Sequence, residues 1–79
     1  MMTSDERYNK EELWMAIFGA KLSRLIKERN ITIQELSKET GISWGTIRGY
    51  MKGTHSPKAF NVYLLSKALK SSFDELVHV

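Results

Sequence analysis

Apolar residues recur every three to four positions along most of the chain, which is the spacing of an amphipathic helix. The first stripe consists of Trp14, Phe18, Leu22, Leu25 and Ile26. Asn9 and Glu12 have the spacing of a capping box, so we expect this helix to begin near Asn9 and to end near Asn30. Gly19 leaves open whether the helix is broken. No stretch alternates with period two, so the pattern predicts an all-α fold.

Two short helices are predicted next, separated by a tight turn. Thr32 and Glu35 form a capping box that opens the second helix, and Gly41 closes it. Ser43 is placed to cap a third helix that ends at Gly53. Four apolar residues are spaced to point inward between these helices: Leu36, Ile42, Ile47 and Tyr50. The pair therefore has the geometry of a helix-turn-helix, a motif that presents its second helix to the DNA major groove.

The remaining part of the chain predicts a fourth and a fifth helix. Ser56-Pro57 is interpreted as the start of the fourth helix, with proline at the first helical position. Its core stripe is Val62, Leu65, Ala68 and Leu69. Ser72 and Glu75 form another capping box. We therefore expect a short fifth helix around residues 73–76.

Composition and charge narrow the classes of function. The chain has 79 residues, no cysteine and a formal net charge of +3. It is long enough for one domain, offers no disulfide or thiolate site, and has no apolar run near the ~20 residues of a membrane span. Eight of the basic residues and three of the acidic ones fall in residues 21–58, a net of +5 there. This basic middle section is suited to a polyanion but is equally compatible with an ordinary solvated surface.

The whole pattern resembles one known family. The motif at 32–53 reads TIQELSKETGISWGTIRGYMKG, and it resembles the helix-turn-helix of the Cro and phage-repressor family, of the xenobiotic-response-element type. The flanking segments FGAKLSRLIKERNIT and SPKAFNVYLLSKALKSSFDEL resemble the family's first helix and its last two. The resemblance implies a compact five-helix, lambda-repressor-like DNA-binding domain over residues 9–79, with an N-terminal helical extension. Residues 1–8 are expected to form a flexible segment, and residues 43–52 the recognition helix.

Carried over position by position, the resemblance implies two sets of DNA contacts. The expected base contacts are Ser43, Trp44, Gly45, Thr46, Arg48 and Gly49. The expected phosphate contacts are Ile33, Gln34, Lys38, Lys52, Thr54, His55 and Lys58. Ile33 departs from the family, which usually has glutamine at the first position of the second helix. The backbone N–H groups at that helix start remain able to bind phosphate.

Several of these positions have a plainer interpretation. Arg48 could bind a guanine bidentately, contact phosphate alone, or pair with an acid. Trp44 could touch a thymine methyl or a sugar, or fold back onto the domain. Gly45 and Gly49 could allow close approach of the backbone to DNA, or could simply be tolerated in the helix without a function. Thr46 could reach a base, or could form a hydrogen bond to the backbone within its own turn. The lysines could be ordinary surface residues, and His55 a surface histidine.

The sequence therefore predicts a DNA-binding transcriptional regulator, most simply a repressor that binds a two-fold symmetric operator as a homodimer. No catalytic residues, metal ligands or cofactor are predicted, and the expected location is the cytoplasm of a bacterium, with the gene bacterial or phage-encoded. The alternative is an antitoxin-like protein-binding module. Its partner surface would be formed by Leu13, Ile17, Phe60 and Leu64, although these residues could equally pack inside the domain.

Overall fold

Five helices build the part of the chain that the computed structural model describes, residues 10–77. They are α1 (Lys10–Glu28), α2 (Ile33–Thr40), α3 (Trp44–Lys52), α4 (Ala59–Ala68) and α5 (Phe73–Val77). The predicted all-α class is confirmed. The flexible segment predicted for residues 1–8 and the capping box predicted at Asn9 lie outside the described residues. Within residues 10–77, no helix is long and apolar enough to cross a membrane.

The long helix α1 is continuous through Gly19, which answers the question left open by the sequence. Gly19 is buried against the end of α3. A Cβ atom at this position would lie 2.5 Å from the carbonyl oxygen of Tyr50 and 2.8 Å from that of Met51. The glycine is therefore required by the close crossing of two helix backbones. Asn30 follows the helix with φ +56°, the left-handed conformation expected at its end.

The turn between α2 and α3 is held by local hydrogen bonds. The hydroxyl of Ser37 donates to the carbonyl oxygen of Ile42 at 2.6 Å. Gly41 ends α2 with φ +77°, a conformation that glycine adopts without steric cost. The hydroxyl of Ser43 accepts from the backbone N–H of Thr46 and thereby caps α3. These local bonds set the geometry in which α3 leaves the turn.

The fourth helix begins later than the sequence predicts. Pro57 does not occupy its first turn, because Lys58 is still extended, with φ −77° and ψ 153°, and serves as the N-cap. The first buried residue of α4 is Val62, whose N–H donates to the carbonyl of Lys58. The prediction of a helix from Ser56-Pro57 was therefore wrong by two residues.

One hydrophobic core joins the five helices. Its members are Phe18, Leu22, Leu25, Ile26, Leu36, Ile42, Ile47, Tyr50, Val62, Leu65, Leu69 and Leu76. This set contains all four inward positions predicted for the helix-turn-helix and four of the five from the first stripe. Trp14, the fifth, is half-buried and stacks on Phe18. Arg29 ties α1 to the end of α4, because its Nε donates to the carbonyl of Leu69 at 2.7 Å.

The apolar residues left open by the sequence divide between core and surface. Leu64 packs against the core and Ile17 is half-buried. Leu13 and Phe60 are 58% and 67% exposed. Phe60 stacks on Tyr63, which is also exposed. Packing inside the domain therefore accounts for Leu64 but not for Leu13 or Phe60.

The capping box of α2 predicts a specific acid sensitivity. The pKa of Glu35 is lowered from its ordinary value of 4.5, first because its carboxylate accepts the backbone N–H of Thr32 and second because of the Thr32 side chain. A folded pKa below the unfolded one means that ionised Glu35 stabilises the domain above pH 4.5, and that this contribution disappears as the pH falls through the folded pKa.

Between pH 7 and pH 3, we expect the melting temperature to fall less in Glu35→Gln than in the wild type. The amide oxygen of glutamine still accepts a hydrogen bond from Thr32 but does not titrate. Thermal unfolding followed by circular dichroism measures this. Glu39→Gln is the control, since it removes the same charge from the same helix. An unchanged acid sensitivity in Glu35→Gln, or an equal change in both variants, would contradict the prediction.

Candidate nucleic-acid interface

Helix α3 presents one face to solvent because its other face is anchored in the core. Ile47 is fully buried and Tyr50 is 3% exposed. On the outward side, Ser43 and Arg48 are exposed and Trp44 is 46% exposed. Trp44 therefore does not fold back into the core, the alternative that the sequence left open. A short helix buttressed in this way is suited to insertion into a major groove.

Arg48 and Trp44 form a stacked pair on this face. The guanidinium carbon of Arg48 lies 4.9 Å from the centroid of the Trp44 ring. They are four residues apart, so one helical turn brings them together. Among the described residues, no carboxylate forms an ion pair with Arg48. The guanidinium is therefore held by an aromatic face and keeps its hydrogen-bond donors for a ligand.

Thr46 is hydrogen-bonded to Ser43 at the start of α3. The hydroxyl of Ser43 accepts the Thr46 N–H at 3.2 Å and donates to the Thr46 hydroxyl at 2.7 Å. Thr46 thus accepts one hydrogen bond within its own turn and keeps its own hydroxyl proton. The side chain is half-buried and lines a surface groove. Local bonding and ligand binding are therefore compatible at this residue.

The two glycines of α3 have different surroundings. Gly45 is exposed, and a Cβ there would have no neighbour within 4 Å. Gly49 is buried, and a Cβ there would collide with the imidazole ring of His55. The expectation that Gly49 points outward was wrong, because the loop after α3 folds back and covers it. We therefore remove Gly49 from the proposed base contacts.

A groove runs along one side of α3 toward the start of α4. It brings together four of the predicted site residues, Thr46, Thr54, His55 and Lys58. The sequence analysis missed Asn61, which also lines this groove and donates to the Tyr50 hydroxyl at 2.8 Å. A single amide in the otherwise apolar first half of α4 was the available signal for it.

A second groove lies on the other side of α3. It is lined by Ile33, Arg48 and Lys52, together with Ser23 and Met51. The side chain of Ile33 packs partly against the core, so its backbone N–H is the group suited to an anionic ligand. Within residues 10–77 the N–H groups of Ile33 and Gln34 have no acceptor, since the Thr32 hydroxyl binds the N–H of Glu35. Such free N–H groups at a helix start are suited to an anionic oxygen.

The two grooves beside α3 are electropositive. Their described lining residues include Arg48, Lys52 and Lys58 and no acidic residue. Lys38 is not part of this arrangement. It lies in a different groove, formed by the ends of α1, α2 and α4, together with Glu35 and Glu39. The structure thus gathers the cations around α3 and separates Lys38 from them.

The fold and this face define the class of protein, a helix-turn-helix DNA-binding domain. The sequence profile of the HTH_3 helix-turn-helix family matches residues 22–76. The chain therefore belongs to the HTH_3 helix-turn-helix family. These are DNA-binding regulators and not enzymes, which confirms the predicted family and the predicted absence of enzyme function. Residues 10–21, nearly two thirds of α1, precede the matched region.

A solved structure shares the same fold. The chain superposes on the HTH_3 family transcriptional regulator from Vibrio cholerae with a TM-score of 0.81 and 19% sequence identity. The match covers 85% of this chain and 38% of the Vibrio cholerae chain. The chain thus spans well under half the length of that protein. No curated protein matches it in sequence.

Proposed function

We propose that this protein is a sequence-specific transcriptional regulator, acting as a repressor, that places α3 in the major groove of operator DNA. The observation that carries the proposal is the exposed Arg48–Trp44 pair on a helix whose opposite face is buried. Arginine bound bidentately to guanine is the commonest specific contact in the major groove. Ser43, Trp44, Gly45 and Thr46 occupy the same end of the helix and complete the proposed base-reading surface.

The flanks of α3 fit the sugar-phosphate backbone. On one side lie the free N–H groups of Ile33 and Gln34, with Lys52 beside them. On the other side lie Thr54, His55 and Lys58. Contacts to phosphates on both edges would fix the register of α3, and the base contacts would supply the specificity. Lys38 keeps a proposed role only as a more distant phosphate contact.

Two copies of the chain on a two-fold symmetric operator would account for specific binding by so small a reading surface. One helix-turn-helix contacts a short half-site, and a dimer reads two half-sites about one helical turn apart. The exposed Leu13 and Phe60 are available for contact between copies. The operator is therefore expected to be an inverted repeat.

The test is a titration of the protein into DNA from around its own gene and into random duplex of equal length, over a range of salt concentrations. Specific binding with a steep salt dependence, and a footprint of two related half-sites, would support the proposal. Equal affinity for both DNAs at every salt concentration would reject operator recognition by this chain. A single asymmetric footprint would reject the dimeric arrangement alone.

A protein-binding role, as in an antitoxin, is the second candidate. Phe60 and Tyr63, which stack on each other and are exposed, favour this role. Solvent-exposed aromatic side chains are typical of protein-binding surfaces. Leu13 on α1 is also exposed and half-buried Ile17 lies one helical turn from it, whereas Leu64 packs against the core and adds little to such a surface. A partner complex that Phe60→Ala weakens and Arg48→Ala leaves intact would support this role in place of operator binding.

A further inference from the structure

His55 is built into the wall of the groove beside α3. Its ring lies against the backbone of Gly49, where a Cβ would collide with it. The ring also meets the ring of Tyr50 edge-on, with centroids 6.4 Å apart. Its Nδ1 lies 3.0 Å from the hydroxyl oxygen of Thr54. Three contacts thus fix the position of a side chain that is exposed on its remaining side.

The hydrogen bonds of Thr54 favour one tautomer of the neutral His55 ring. The Thr54 hydroxyl has one proton and donates it to the carbonyl oxygen of Gly49 at 3.2 Å. With that proton directed at Gly49, the hydroxyl oxygen is left to accept from His55, an arrangement in which Nδ1 carries a hydrogen. In the neutral ring, Nε2 is consequently the unprotonated nitrogen. A further proton binds at Nε2 and leaves the bond to Thr54 intact.

The described residues around the ring supply no anion. The loop before α4 contributes Lys58 to the groove, and α3 contributes the titratable Tyr50, whose hydroxyl accepts from Asn61. Helix α4 contributes no charged residue to the described lining, and neither does α1. Arg48 and Lys52 line the groove on the other side of α3. A positively charged His55 therefore has no carboxylate partner in this groove, which leaves it available for an anionic ligand.

We propose that His55 and Lys58 form a phosphodiester-binding site, in which protonated Nε2 of His55 donates to a DNA phosphate and makes operator binding tighter as the pH falls. The inference rests on the proposed function and adds its regulation by pH. Histidine is the side chain that changes charge between pH 5 and 8, and an ionised donor strengthens a hydrogen bond to phosphate. The complex then holds more protons than the free protein, so lower pH favours the complex.

The test compares operator affinity at pH 6 and pH 8, at constant ionic strength, for the wild type, His55→Gln and His78→Gln. We expect the wild type and His78→Gln to bind about tenfold more tightly at pH 6, the lower end of the range that one hydrogen bond from a charged donor supplies. His55→Gln is expected to lose this difference. Calorimetry at pH 7 in two buffers of different ionisation enthalpy should show proton uptake on binding by the wild type and none by His55→Gln.

Nitrogen NMR of the free wild-type protein tests the ring state without a mutation, and should find neutral His55 with its hydrogen on Nδ1. The opposite tautomer would overturn the inference. So would operator binding that is equally tight at both pH values, or a pH effect that persists in His55→Gln, and operator recognition would stand in either case. Failure of the wild type to prefer operator at either pH would instead reject the proposed function and this inference together.

Discussion

Replacing Gly19 by alanine is expected to destabilise the domain by about 3 kcal/mol, the upper part of the range for overpacking a tight core. The added methyl group would lie 2.5 Å from one backbone carbonyl of α3 and 2.8 Å from the next. Backbone atoms cannot rotate away as a side chain can, so α1 and α3 must separate. The figure of about 3 kcal/mol is net of the roughly 1 kcal/mol by which alanine's higher helix propensity favours the variant. Steric repulsion therefore outweighs propensity, and the melting temperature should fall by more than about 10 °C.

Gly45→Ala is the matched control for this prediction. It is also a helical glycine, but a Cβ there meets nothing within 4 Å. We expect it to raise stability by up to about 1 kcal/mol through helix propensity alone. Urea unfolding followed by circular dichroism at 222 nm measures both variants. Gly19→Ala as stable as the wild type would show that α1 and α3 do not cross as closely as described.

Replacing Arg48 by alanine is expected to reduce the preference for operator over random duplex by about 1–3 kcal/mol per half-site, roughly five- to 150-fold. Within residues 10–77 the guanidinium forms no ion pair with a carboxylate, and it is held over Trp44. Its loss removes base recognition but only one positive charge. Affinity for random duplex should therefore fall much less, and the salt dependence should decrease by no more than about one phosphate contact. Competition titrations against both DNAs measure the two effects.

Arg24→Ala is the matched control for charge. Arg24 is an exposed arginine on α1 that pairs with Glu28 at 3.7 Å and lines neither groove beside α3. It should leave the preference for operator unchanged. Arg48→Lys separates charge from geometry, because lysine keeps the charge but lacks the bidentate fork. If Arg48→Ala weakened binding to operator and to random duplex equally, Arg48 would be a phosphate contact and the proposed base contact would be wrong.

Local signals in the sequence were sufficient for the helix starts and ends around the motif. The capping boxes at Thr32 and Ser72 form as predicted, with both reciprocal hydrogen bonds present in each. Gly41 and Gly53 adopt the left-handed conformation that ends a helix. Each of these features depends on residues within one or two turns, so the amino acids determine it directly. The start of α4 was predicted two residues too early because proline suits the residue before an N-cap as well as the first helical turn.

The helical period also determined which side of the motif is buried. Leu36, Ile42, Ile47 and Tyr50 were predicted to point inward and all lie in the core. The same period assigned Arg48 and Trp44 to the outward face, where the structure places them. The sequence alone was thus enough to predict the fold and the family, and to single out the principal candidate for base recognition.

What the tertiary structure decided depends on contacts between residues that are distant along the chain or separated by a loop. Gly19 is required by the carbonyl groups of Tyr50 and Met51, about thirty positions later. The burial of Gly49 follows from the path of the loop that returns His55 to α3, which helical periodicity does not describe. The separation of Lys38 from the cations beside α3 likewise follows from how α2 packs on α4. Periodicity and capping act within one element, whereas these features arise only when elements meet.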